Sequence, residues 1–111
     1  MKISELDARF VRRRVEESGE VWEPATYEAA DGVIFLCPKC FQTNGGKIGT
    51  HSVICWRPRV PPEVDPKPGR WEFSGGSLES LTLVAGSSSV LISAELGGCG
   101  AHFNIRDGAI A

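Results

Sequence analysis

Two pairs of residues in this chain have the types and the spacing to hold one metal ion. Cys37 and Cys40 form a C-x2-C pair in "FLCPKC", and Cys99 and His102 form a C-x2-H pair in "GGCGAHFNI". A tight turn between two ligands lets both reach one ion. Gly97, Gly98 and Gly100 supply the backbone freedom such a turn needs, because φ > 0 carries no Cβ penalty in glycine. Together the pairs predict a tetrahedral Cys3His shell, a zinc-knuckle site of the closed structural kind, holding one Zn2+ per chain. Fifty-eight residues separate Cys40 from Cys99, so the ion would staple two distant segments.

Other readings of the same residues stay open. Free cysteine is among the most buried residue types, so Cys37 could close an apolar strand with Cys40 a chance neighbour. A redox C-x2-C would call for a strand-to-helix context, which the sequence does not suggest. A disulfide would need an oxidising compartment, and the charged N-terminus "MKISELDARFVRRRVEESGE" lacks the apolar stretch of a signal peptide. His51 and Cys55 lie four apart in "GTHSVICW". On a strand that spacing spans ~13 Å, too far to share an ion. Cys55 therefore reads as a core residue beside Trp56, and His51 as a strand-entry or surface histidine. His51 is also the substitute ligand should His102 not bind, and the candidate for a supporting or catalytic role.

The elements that must position these residues are mostly strands. "SELDARFVRRRVEES" is the one helix candidate, with Ser4 as N-cap, Leu6 and Phe10 at helical spacing, and Gly19 as the stop. Beyond it, "EVWEPATYEA", "DGVIFLC", "HSVICWR", "RWEFSGG", "SLTLVAG" and "SVLISAEL" read as short strands between turns. Pro24 belongs at an edge or bend. "TNGGKIG" is a glycine-rich turn, and "PRVPPEVDPKPG", with five prolines, is a rigid extended loop. "AHFNIRDGAIA" is a hairpin with Asp107-Gly108 at its turn. The expected fold is mainly β: a compact single-domain β-sandwich or barrel with one short N-terminal helix. Residues 1–18 would be the helical segment and 19–111 the zinc-binding β domain.

Composition narrows the function classes. A length of 111 residues fits one domain with a modest core. A net charge of −2 argues against bulk non-specific nucleic-acid binding, which needs a positive field. No apolar run approaches the ~20 residues that span a bilayer. The expected location is cytoplasmic, where thiols stay reduced. Neither the nucleophile elbow G-x-S-x-G nor the phosphate loop G-x4-G-K-[ST] occurs.

"CPKC", "GTHSVICW", "GRWEFSG", "LTL" and "GGCGAHFNIRDGAI" resemble the motifs of a group of small phage and bacterial proteins. They form a domain family of unknown function whose phage members are often mislabelled ammonia monooxygenases. The resemblance runs from Asp31 to Ile110 and implies metal binding through Cys37, Cys40, Cys99 and His102. The chain departs from that pattern after "LTL", where Ala85-Gly86-Ser87 stands in place of a Pro-Ser pair. Ammonia oxidation needs a membrane-associated copper assembly, which a short cysteine-rich chain does not provide.

Three functions compete. The first is a zinc-stabilised binding or accessory protein, phage-encoded and acting on a host or phage protein through surface loops. In a closed shell no bound water is activated, so the metal contributes folding energy rather than chemistry. The second is a metal-dependent hydrolase with an open zinc position and His51 or Glu79 as base. The third is a nucleic-acid-binding zinc-ribbon-like module using Arg12 to Arg14, Lys47, Arg57 and Arg59.

Overall fold

A computed structural model describes residues 1–65, 69–84, 89–91, 100 and 102–110, with the backbone alone for 89–91 and 102. The protein is mainly β, with nine strands among the described residues. The largest sheet has four antiparallel strands: β1 (Arg9–Glu16), β2 (Gly19–Pro24), β3 (Gly32–Leu36) and β4 (Ser52–Trp56), in the order β2-β1-β3-β4. Facing it are the pair β5 (Glu72–Ser74) and β6 (Thr82–Val84) and the three-stranded β7 (Ser89–Leu91), β8 (His102–Arg106) and β9 (Ala109–Ile110).

Period-2 alternation explains the two layers. Val33 pairs with Cys55 and Phe35 with Val53, and all four side chains face the second layer. There they meet Leu81, Leu83, Phe103 and Ile105, and Ile3 and Leu6 close the end of the core. Phe35 and Phe103 join the layers as an edge-to-face pair, with centroids 6.0 Å apart. The opposite face of the large sheet carries Val11, Ile34, Ile54 and Trp56, covered at one end by Val60 and Val64 of the proline-rich loop. Of the sandwich or barrel expected, this arrangement is sandwich-like.

The N-terminal helix is corrected. Only Ile3–Leu6 is helical, as a 3-10 turn that Asp7 ends in the left-handed region at φ 53. Residues 9–16 instead form β1, in which Arg12 faces Glu23 across the ladder and Arg13, opposite Trp22, reaches diagonally to Glu20. Leu6 and Phe10, one stripe of the expected helix, thus sit on different elements. Ile3 and Leu6 are fully buried, so residues 1–18 are built into the β domain.

The C-terminal hairpin turns as expected at Asp107-Gly108, both with positive φ as a tight type I′ turn requires. It locks against the 3-10 turn Leu78–Ser80: Gly108 N–H donates to Leu81 O at 2.8 Å. A Cβ on Gly108 would lie 2.3 Å from Glu79 O.

Candidate metal centre

The site grows from the end of the β3–β4 ladder. Leu36 pairs with Ser52, and one step further Cys37 N–H donates to His51 O at 2.9 Å. Cys37 and His51 thus continue the register of Val33/Cys55 and Phe35/Val53. Pro38 holds Cys37 in an extended conformation, since the residue before a proline is pushed out of the helical region. Pro38 is also the first residue of a helix, α1 (Pro38–Asn44), where its missing N–H leaves no bond unmade. The first turn of α1 brings Cys40 back over Cys37, and Phe41 N–H donates to Cys37 O at 2.9 Å.

Gly45 caps α1 in the left-handed conformation at φ 68. The return loop is then tied by Thr50, whose hydroxyl donates to Gly46 O at 2.7 Å and accepts from Asn44. Local bonding therefore delivers His51 to the cysteines.

The thiol sulfurs of Cys37 and Cys40 and a ring nitrogen of His51 lie within 4.8 Å of one another. Ligands on a tetrahedral zinc stand ~3.5–4 Å apart, given Zn–S of ~2.3 Å and Zn–N of ~2.0 Å. Small side-chain shifts would bring these donors onto one ion. Cys37 is fully buried, Cys40 half-buried and His51 exposed, so the site opens towards solvent on the histidine side. Two thiols and an imidazole suit zinc, copper(I) or iron.

Of the residues expected at the site, Cys37 and Cys40 come together as the C-x2-C spacing implies. Cys99 lies outside the described residues. His102 opens β8 opposite Leu91, and its neighbour Phe103 packs on Phe35, two residues before Cys37. His51, expected as a strand-entry or surface histidine and as the substitute ligand, lies with the two cysteines. It precedes β4, and its register opposite Cys37 places it where it could serve as a third donor. The signal lay in pairing "GVIFLC" with "HSVICW": aligning Val33 with Cys55 places Cys37 opposite His51. The rejection of a shared His51–Cys55 ion is consistent with this geometry, since Cys55 is a fully buried core residue. Burial pushes its thiol up, so it stays protonated.

The strand-to-helix context not expected from the sequence is present, because the C-x2-C pair joins β3 to α1. Glu79, the alternative base, is exposed in the Leu78–Ser80 turn and outside the donor group. The arginines expected of a nucleic-acid-binding module are engaged within the fold. Arg12 and Arg14 pair with Glu23, Arg13 with Glu20, and Arg59 with Asp31. Arg57 stacks between Tyr27 and Phe73 at 4.6 and 4.8 Å. No helix among the described residues is long and apolar enough to cross a membrane. No family model matches the chain, and no curated protein or solved structure matches it.

Proposed function

We propose that this protein is a zinc-stabilised binding module. Cys37, Cys40 and His51 supply three donors, and the fourth comes from the Cys99/His102 pair. The observation that carries this reading is the cross-strand placement of buried Cys37 against His51, with Cys40 one helical turn away. Phe103 on Phe35 brings the start of β8 towards the same end of the sheet and so supports the fourth ligand. A fourth protein ligand closes the shell and leaves no water to activate, so the metal holds the β3–α1–β4 corner and contributes folding energy.

The surface offered to a protein partner, of host or phage origin, is the proline-rich loop. Pro58, Pro61 and Pro62 are exposed, while Val60 beneath them is buried. Arg70 pins the loop from below, donating to Val60 O at 3.1 Å and to Val64 O at 2.9 Å. A loop already held rigid loses little entropy on binding. Nucleic acid is disfavoured because the arginines are spent on ion pairs and ring contacts.

Native mass spectrometry of the purified protein and of Cys37→Ser, His51→Ala, Cys99→Ser and His102→Ala variants tests the site. One zinc per chain, lost or weakened in Cys37→Ser, in His51→Ala and in at least one of the last two, is expected. Full retention in both Cys99→Ser and His102→Ala would leave an open position and favour the hydrolase. Absence of metal from the parent protein would remove the reading.

A further inference from the structure

We propose that Cys37 and Cys40 are also a thiol–disulfide couple: a small-molecule disulfide oxidises the pair to a Cys37–Cys40 bridge, and the domain then gives up its metal. The metal half rests on the function proposed above, whereas the dithiol half stands on the chain's own geometry.

Three observations point this way. The cysteines bracket the junction of β3 and α1, with their sulfurs within 4.8 Å. Residues three apart in a first helical turn have Cβ atoms ~5–6 Å apart, and a disulfide requires ~3.5–4.5 Å. Side-chain rotation and a slight tightening of one turn cover that difference. The two sulfurs also differ in access, since Cys40 is half-buried and Cys37 fully buried. An external disulfide therefore meets Cys40 first, and Cys37 is placed to resolve the adduct. Finally, Cys55 of β4 is sealed in the core between the two layers, outside the donor group, and does not compete.

The exchange balances without a further reagent. The Cys40 sulfur, as thiolate, attacks one sulfur of the oxidant R–S–S–R, forming a mixed disulfide and releasing RS−. The Cys37 thiolate then attacks the Cys40 sulfur, breaking the Cys40–S–R bond and releasing the second RS−. Two protein thiols are oxidised, one disulfide is reduced to two thiols, and the protons leave with the RS− groups. Both sulfurs are now bonded to each other, so the ion keeps only His51 and one distal ligand and dissociates.

The test uses the full chain as purified, with oxidised glutathione as the probe. Metal release is followed with a chromogenic chelator, thiol loss by intact mass after alkylation in denaturant, and linkage by trypsin without reduction. Lys39 lies between the cysteines, so trypsin cuts Lys39–Cys40 and a bridge keeps the two fragments joined. Expected are two thiols lost per metal released, with joined Lys39/Cys40 fragments. Excess zinc should slow closure at least tenfold. The same bridge should form in Cys55→Ala and in Cys99→Ser. A stable glutathione adduct on Cys40, a first bridge that includes Cys99, or intact thiols throughout would overturn the proposal. If the parent protein holds no metal, the metal reading fails by itself, and bridge formation in that protein still decides the dithiol couple.

Discussion

The edge-to-face pair of Phe35 and Phe103 joins the β3–α1–β4 corner, which carries the candidate metal site, to the second layer. Phe35 is 1% exposed and Phe103 5%. Replacing either with leucine keeps an apolar side chain but breaks the ring contact. Phe→Ala in a core costs about 3–5 kcal/mol and Leu→Ala about 2–5, so each Phe→Leu change should cost about 1 kcal/mol plus its share of the pair. Aromatic pairs are worth about 0.5–1.5 kcal/mol beyond area burial, and that is the coupling expected from the double-mutant cycle. Urea unfolding of metal-loaded protein, followed by the fluorescence of buried Trp56, would read each variant. With m of about 1–3 kcal/mol/M, a single change moves the midpoint by roughly 0.5 M. Both single variants should also lose metal to a chelator faster than the parent. A coupling below about 0.3 kcal/mol would refute the joint, because independent sites add to within that margin.

Gly32→Ala would place a Cβ 2.7 Å from Cys55 O and 2.7 Å from Trp56 Cε3, so it should destabilise by about 1–3 kcal/mol in thermal melts. Arg70→Met removes charge-assisted bonds to the carbonyls of Val60 and Val64. It should cost about 1.5–3 kcal/mol and expose the proline-rich loop to limited proteolysis, and unchanged digestion would count against the clamp. Side-chain bonds from Arg13 and Trp22 hold the Glu20 carboxyl below its ordinary 4.5, and a bond from Arg12 does the same for Glu23. Folded-state pKa values that are depressed give stability that is present above 4.5 and lost as pH falls through the lowered values. Trp22 fluorescence should therefore report loosening of the β1–β2 hairpin below pH 4.5, and a flat profile down to full protonation would refute it. Cys55→Ala should leave metal stoichiometry at the parental value by native mass spectrometry, since Cys55 lies outside the donor group.

Where a strand is rich in apolar and β-branched residues, its place in the chain was readable. "GVIFLC" and "HSVICW" became β3 and β4 because Val33, Phe35, Val53 and Cys55 share a face. Asp107-Gly108 carried its turn in two residues. The arginine run misled because a strand stabilised by cross-strand ion pairs has no apolar alternation to display, and Arg12 and Arg13 owe their place to Glu23 and Glu20. Helix α1 was hidden by its shortness: seven residues give no periodicity, and only Pro38 and Gly45 mark its ends. Two of the three clustered donors, Cys37 and Cys40, were legible from spacing. His51 was not, because cross-strand proximity depends on a register that no local motif records.

Cys37, Cys40 and His51 all fall within one short stretch of chain, whereas Lys2 must find Ala109 across almost the whole sequence. Closing a loop roughly eightfold longer adds about 2 kcal/mol of entropy at about 0.6 per doubling. The metal corner can therefore form early, before the ends of the chain meet, and a bound ion would act as a kinetic nucleus as well as an anchor. During synthesis these three donors emerge before the second layer exists, so metal bound at that moment would help β3 and β4 pair in register. A shortage would then be felt as slow or failed folding of newly made chains, while chains already folded persisted.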